Sequence, residues 1–220
     1  MLGLLIKDMK LMLIEKKYFS LILLIAIMLA FTVTDMAFII TYVTIIFSSY
    51  TVTTISYDEA NNGNAFLMTL PFDRSIYVKE KYLFAIIIIS IIFISTTLIT
   101  AIYQNFTIQN FNTLEWILSC TLVLPIVFLM LSFMIPLHLK FGGEKARSIL
   151  LTSIGIIFVG GFLIVKFIEI ININLTTLMS VLNSYFSDDF IISIYVFLIS
   201  VIVMIVSYFI SQHIIKHKEY

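Results

Sequence analysis

The 220-residue chain is short of the residues on which catalytic and extracellular folds are built: one cysteine, three histidines, one tryptophan, three prolines and seven glycines. A single cysteine, Cys120, set in an apolar run, rules out an internal disulfide framework, a multi-cysteine zinc site and an iron–sulfur cluster, and reads as a packing residue. Charge is also scarce. Only 12% of residues are charged against 61% apolar, the mean hydropathy is +1.11, and a soluble domain cannot be built from such a composition. The N-terminal stretch has no uninterrupted apolar core, because Lys7, Asp8, Lys10 and Glu15 to Lys17 break it, so no cleaved signal peptide is expected.

Chemistry-bearing patterns are missing too. No GxxxxGK[ST] phosphate loop is present; Gly142-Gly143-Glu144-Lys145 has neither the spacing nor the following hydroxyl. No Ser, His and Asp set and no buried carboxylate pair suggests an enzyme, so no catalytic residue is expected on this chain. His213 and His217 stand four apart, but beside Lys216 and Lys218 they read as a basic tail near anionic lipid, and no metal site or cofactor is expected. No nucleic-acid partner is expected either.

What the chain does have is long uncharged runs. A hydrocarbon core of about 30 Å takes roughly 20 apolar residues as a helix. Six runs approach that length: 18–34, 36–56, 82–103, 116–139, 148–165 and 190–212. Backbone groups in lipid must bond within their own segment, so these runs predict an all-α integral membrane protein with six transmembrane helices. The cores of the runs carry no Asp, Glu, Lys or His for a coupling ion, which argues against a secondary carrier. Lys166 and Glu169, near the end of the fifth run, read as a snorkelling pair.

Lys and Arg are retained on the cytoplasmic side of short loops. Lys7, Lys10, Lys16 and Lys17 precede the first run, and Arg74, Lys79 and Lys81 lie between the second and third. Lys140, Lys145 and Arg147 lie between the fourth and fifth, and Lys216 and Lys218 follow the sixth. Of the 13 basic residues only Lys166 falls on the other side, with Asp35, Glu115, Glu169, Asp188 and Asp189. Both termini are therefore expected in the cytoplasm.

Residues 1–17 are expected to form an interfacial amphipathic helix, with Leu2, Leu5, Ile6, Met9, Met12 and Leu13 on one face and Lys7, Asp8 and Lys10 off it. An extended cytoplasmic start to the first span is the alternative. Residues 18–220 then form the transmembrane domain, with its longest cytoplasmic loop at 57–81. That loop reads as a turn at Asn61 to Asn64, a short apolar helix at Ala65 to Leu70, a stop at Pro71 and a cap at Asp73. Phe66, Leu67, Met68, Leu70 and Phe72 beside Asp58, Glu59 and Arg74 suggest a docking surface; packing of the apolar residues on neighbouring spans is the alternative.

The order Tyr57-Asp58-Glu59, Leu70-Pro71, Arg74, Tyr77-Val78-Lys79 and Lys81-Tyr82 leading into the third run resembles the small permeases of type-2 ATP-binding-cassette exporters, as do the six spans. The resemblance implies a permease that works as a pair, with itself or a related chain, and couples to two copies of a separate ATPase subunit holding ATP and magnesium. It implies that Asp58 and Glu59 begin the coupling element, that Phe66, Leu67 and Leu70 enter the ATPase groove, and that Arg74 orients the turn after Pro71. With no cysteine pair and no large outer domain after the fifth span, the chain is similar to the compact bacterial plasma-membrane permeases that export amphipathic, lantibiotic or phenol-soluble-modulin peptides. A non-transporting immunity or interaction protein is the reading from another class.

Within the spans, hydroxyls are the polar resource. Thr44, Ser48, Thr51, Thr97 and Thr100 can line a weakly polar path, or bond their own helix backbones. Pro125 and Pro136 can bend the fourth span, and Gly155, Gly160 and Gly161 permit close contacts in the fifth.

Overall fold

In a computed structural model the described residues, 1–32, 36–59, 63, 67, 69, 73–107, 113–143, 145–146, 148–152, 162, 166 and 189–218, are helical with short breaks. The helices are α1 (Leu2–Ile14), α2 (Lys16–Thr32), α3 (Met36–Glu59), α4 (Arg74–Thr107), α5 (Thr113–Phe141) and α6 (Asp189–His217). Most of the fifth run, its three glycines included, lies outside the described residues, as does Glu169 beyond it. Four described helices are long and apolar enough to cross a membrane: Met36–Glu59, Arg74–Phe106, Trp116–Phe141 and Phe190–His217. The first run forms most of α2, whose 17 residues rise about 26 Å, a little short of a 30 Å hydrocarbon core.

α3 is the central helix, with 61% of its apolar window buried against 22–33% for the other three. It packs on α2, α4 and α5, while α6 packs on α4 and α5. One apolar core joins α3, α4, α5 and α6 through Ile55, Tyr77, Ala85, Val123, Leu131 and Ile215, and Cys120 belongs to it. The other joins α2, α3 and α4 through Phe19, Ile22, Phe47, Tyr50 and Phe84. The remaining faces are apolar and exposed, as with Ile94, Leu98, Ile99, Phe133, Ile202 and Phe209, because lipid rather than water surrounds them.

At 34 residues α4 rises about 50 Å, so roughly 20 Å of it must stand outside a 30 Å core. The charged end from Arg74 to Lys81 supplies about 12 Å of that surplus. α1 lies against that end and against α3. It turns Leu4 and Asp8 inward and leaves Leu2, Ile6, Met9 and Leu13 exposed, an i, i+4, i+7, i+11 stripe. Leu5 and Met12, expected on that same face, pack instead against the α2–α3–α4 core.

Pro136 ties α5 to α6. A proline at 136 has no N–H for the carbonyl of Ser132, which would stay unpaired in an apolar setting. Ser207 of α6 donates to that carbonyl at 2.6 Å. Its proton is thereby committed, so Tyr82 of α4 must donate to Ser207 Oγ at 2.6 Å and accept from Ser211 at 2.9 Å. The hydroxyl chain links three helices. Ser207→Ala should destabilise the protein by about 1–3 kcal/mol, because it strands the Ser132 carbonyl. In a Pro136→Ala background, where residue 136 regains its N–H, the same change should cost well under half as much. Thermal unfolding of the four proteins in detergent checks this.

Candidate functional site

Among the described residues, the Lys/Arg-rich end of the bundle gathers the buried Asp, Glu and Lys side chains. α3 ends in two adjacent carboxylates, Asp58 and Glu59, at the negative pole of its helix dipole, where they are unfavourable unless cations meet them. About 100° apart on the helix, they face different neighbours.

Asp58 faces α1 and α4. It receives the Lys7 ammonium, the Lys81 ammonium at 2.9 Å and the Tyr77 hydroxyl at 3.0 Å. Lys81, fully buried, also donates to Asp8 at 2.5 Å and to Thr54 Oγ1 at 3.0 Å, and it lies 5.2 Å from the centre of the Tyr77 ring. Lys7 sits 3.1 Å from the second oxygen of Asp8. Burial works against the charge on Lys7, but the Asp58 and then the Asp8 carboxylates outweigh it and raise its pKa. Glu80, also fully buried, approaches this cluster only at 3.8 Å from Lys81, and neither of its oxygens has a hydrogen-bond partner among the described residues. Three carboxylates thus share two ammonium groups. Removing one partner from such a buried set costs far more than an exposed pair is worth.

Glu59 faces the ends of α5 and α6. It accepts from the Gly143 N–H at 3.1 Å and from Lys218 at 3.3 Å. Gly142 ends α5 with φ +79, in the left-handed region, its N–H bonded to the His138 carbonyl at 3.0 Å. A Cβ there would lie 2.7 Å from Glu59 Oε1, and one on Gly143 would lie 2.7 Å from Ser56 Oγ. The two glycines let the end of α5 close on the end of α3. Cations cap the helix ends beside them: Lys218 donates to the Leu139 carbonyl at 2.8 Å, and Arg74 to the carbonyls of Ile215, Lys216 and Lys218 at 3.3, 3.3 and 2.8 Å.

Of the residues singled out for coupling, Asp58, Glu59 and Arg74 stand at the two roots of the connecting segment, Asp58 bonded to α1 and α4, and Glu59 and Arg74 both bonded to the end of α6. Within the segment, Gly63 folds back so that a Cβ would sit 2.6 Å from the Asp58 carbonyl oxygen. Leu67 is half-buried against the α3–α6 core. Phe66, Leu70 and Pro71 lie outside the described residues. Asp73 immediately precedes α4, its carbonyl accepting from Ile76 N–H at 2.9 Å.

The hydroxyls considered for a path bond mainly to their own helices: Thr44 to the Ile40 carbonyl at 2.7 Å, Ser48 to Ile45 at 2.9 Å, Thr97 to Phe93 at 2.8 Å and Thr100 to Thr96 at 2.9 Å. Thr51 is buried, and its hydroxyl has no partner among the described residues. Sequence reasoning missed Asp8 and the seat that Gly142 and Gly143 make for Glu59. An isolated acid among the lysines of α1, and a glycine pair directly after a long span, were the available signals.

The roots of the connecting segment are thus anchored to α1, to α4 and to the ends of α5 and α6. Comparison with protein-family models matches residues 3–216 to the family described as ABC-2 family transporter protein. The chain belongs to that family. It is a multi-pass membrane protein of the transport class, a permease component. Comparison with curated proteins and with solved structures gives no match.

In the permease, Lys81→Met should lower stability by about 3–5 kcal/mol, since Asp8 and Asp58 would lose their shared cation, whereas Glu80→Gln should be neutral or stabilising. Thermal unfolding in detergent separates the two. Gly142→Ala, strained at positive φ and pressed on Glu59, should destabilise by at least about 1 kcal/mol, and pairing it with Glu59→Gln should not restore the loss fully because the backbone strain remains.

Proposed function

We propose that the chain is the membrane-spanning permease subunit of an ATP-driven exporter, energised by a separate ATP-binding-cassette ATPase that docks on residues 57–81. The observation that carries this reading is the anchoring of both roots of that segment, Asp58 and Glu59 on one side and Arg74 on the other, in a chain of ABC-2 family membership. A load applied between such roots has little slack to take up. It passes into α3 and α4 directly, into α1 through Lys7 and Asp8, and into α6 through Arg74.

In this reading the bundle has six spans with both termini in the cytoplasm of a bacterial cell. Two permeases, identical or related, pair in the plasma membrane above two ATPase copies that hold ATP and magnesium. Phe66, Leu67 and Leu70 fill the ATPase groove and Pro71 sets the following turn. Thr44, Ser48, Thr51, Thr97 and Thr100 border the path, where Thr51 has the spare hydroxyl. Amphipathic peptides are the substrate class best suited to a compact permease with no cysteine pair after its fifth span, and export is the direction.

The test is co-purification. Wild-type permease, co-expressed with candidate ATPases and purified through a tag on one partner, should retain an ATPase that Phe66→Asp, Leu70→Asp permease loses by at least tenfold at equal membrane expression. Absence of any retained ATPase across several candidates would sink the proposal.

A further inference from the structure

A second polar feature lies away from the ion cluster. Where α1 breaks at Glu15 and α2 begins, the chain leaves a cavity of about 250 Å³ against α3, lined by Glu15, Tyr18, Ser49, Tyr50, Thr53 and Tyr57. Its α3 residues recur at helical spacing, so the cavity runs inward from the Lys/Arg-rich end.

Two of its groups have unmet capacity. Tyr50 is 3% exposed, yet its hydroxyl has no hydrogen-bond partner among the described residues, a costly state for a buried polar group unless a ligand or water meets it. Glu15 accepts the Tyr57 hydroxyl at 3.0 Å, but no cationic group among the described residues forms an ion pair with it. A carboxylate among three tyrosine rings is suited to an ammonium, by charge and by the negative ring faces. Directly after Glu15 in the chain, Lys16 and Lys17 open α2, both exposed, and offer positive charge to an anion. One molecule that carries an ammonium and an anion a few bonds apart fits both. The exposed apolar stripe Leu2, Ile6, Met9 and Leu13 on α1 marks the lipid surface beside the cavity.

We propose that this cavity holds the head group of a zwitterionic phospholipid, its ammonium at Glu15 and the tyrosines, its phosphate toward Lys16 and Lys17, and its acyl chains against α3. The Tyr50 hydroxyl completes the polar lining. The site is independent of the transport reading.

The experiment uses the full chain purified in mild detergent, exposed to equimolar phosphatidylethanolamine and phosphatidylglycerol, with retained lipid counted by native mass spectrometry. Wild type should retain phosphatidylethanolamine preferentially. Glu15→Gln preserves size and the acceptor for Tyr57, and should reduce that retention roughly three- to fivefold, the effect of one ammonium contact at a half-exposed site. Tyr50→Phe, which keeps the ring packing, should reduce it without lowering the unfolding temperature. Equal retention of the two lipids, or undiminished phosphatidylethanolamine on Glu15→Gln, would overturn the proposal. Binding of a lysine-bearing amphipathic peptide to wild type but not to Glu15→Gln, with no preference for phosphatidylethanolamine, would also overturn it and would assign the cavity to peptide.

Discussion

The buried ammonium of Lys81 is the contact on which the Lys/Arg-rich end of the permease depends. It joins α1 through Asp8, α3 through Asp58 and Thr54, and its own helix α4, with no exposure to solvent. Bringing that charge out of water is costly and is offset only by close partners on several sides. The three helices must therefore meet with fixed registers, which is a specificity that apolar packing among isoleucines and phenylalanines does not impose. Polarity then falls off along the bundle, from ion pairs at this end to the Tyr82, Ser207 and Ser211 hydroxyls and then to apolar contacts such as Val127 and Leu131.

Four of the spans were legible because a bilayer leaves little choice: uncharged runs of this length are helices, and α3, α4, α5 and α6 fall on them. Their ends were less legible. Helices run on into the charged flanks, α3 to Glu59 and α4 from Arg74, since these side chains bond to one another and not to water alone. Asp8 was read as lying off the apolar face of α1, which is true of the pattern but misses its consequence. The helix leaves apolar residues exposed on one face, and its single acid turns toward the protein, where Lys7 and Lys81 meet it. Amphipathic periodicity identifies the faces of such a helix and does not say which of them the protein covers.

The residues proposed for coupling illustrate the same division. Asp58, Glu59 and Arg74 were singled out by their order along the chain, but they bond to groups 51, 84 and 141 or more positions away, in Lys7, Gly143 and the last turn of α6. No local pattern encodes those distances. Gly142 and Gly143 were informative in the sequence only for what they are not, a phosphate loop. In the fold they are what lets α5 end against Glu59. Pro136 was read as able to bend its span, while the serine that satisfies the carbonyl it frees could be found only in space.

Adjacent carboxylates at the end of α3 divide the bundle into two parts with unequal grip. Asp58 is almost fully buried and holds α1 and α4 through two lysines and a tyrosine. Glu59 is about one-third exposed and holds the ends of α5 and α6 through one N–H at 3.1 Å and one ammonium at 3.3 Å. Partly exposed pairs of that length are worth about 1 kcal/mol or less, and buried networks resist separation by several times that. Of the two contacts at the end of α3, the one that Glu59 makes with the ends of α5 and α6 is therefore the weaker. Arg74 and the Tyr82, Ser207 and Ser211 hydroxyls tie α4 to α6 as well, so the two parts meet through more than Glu59.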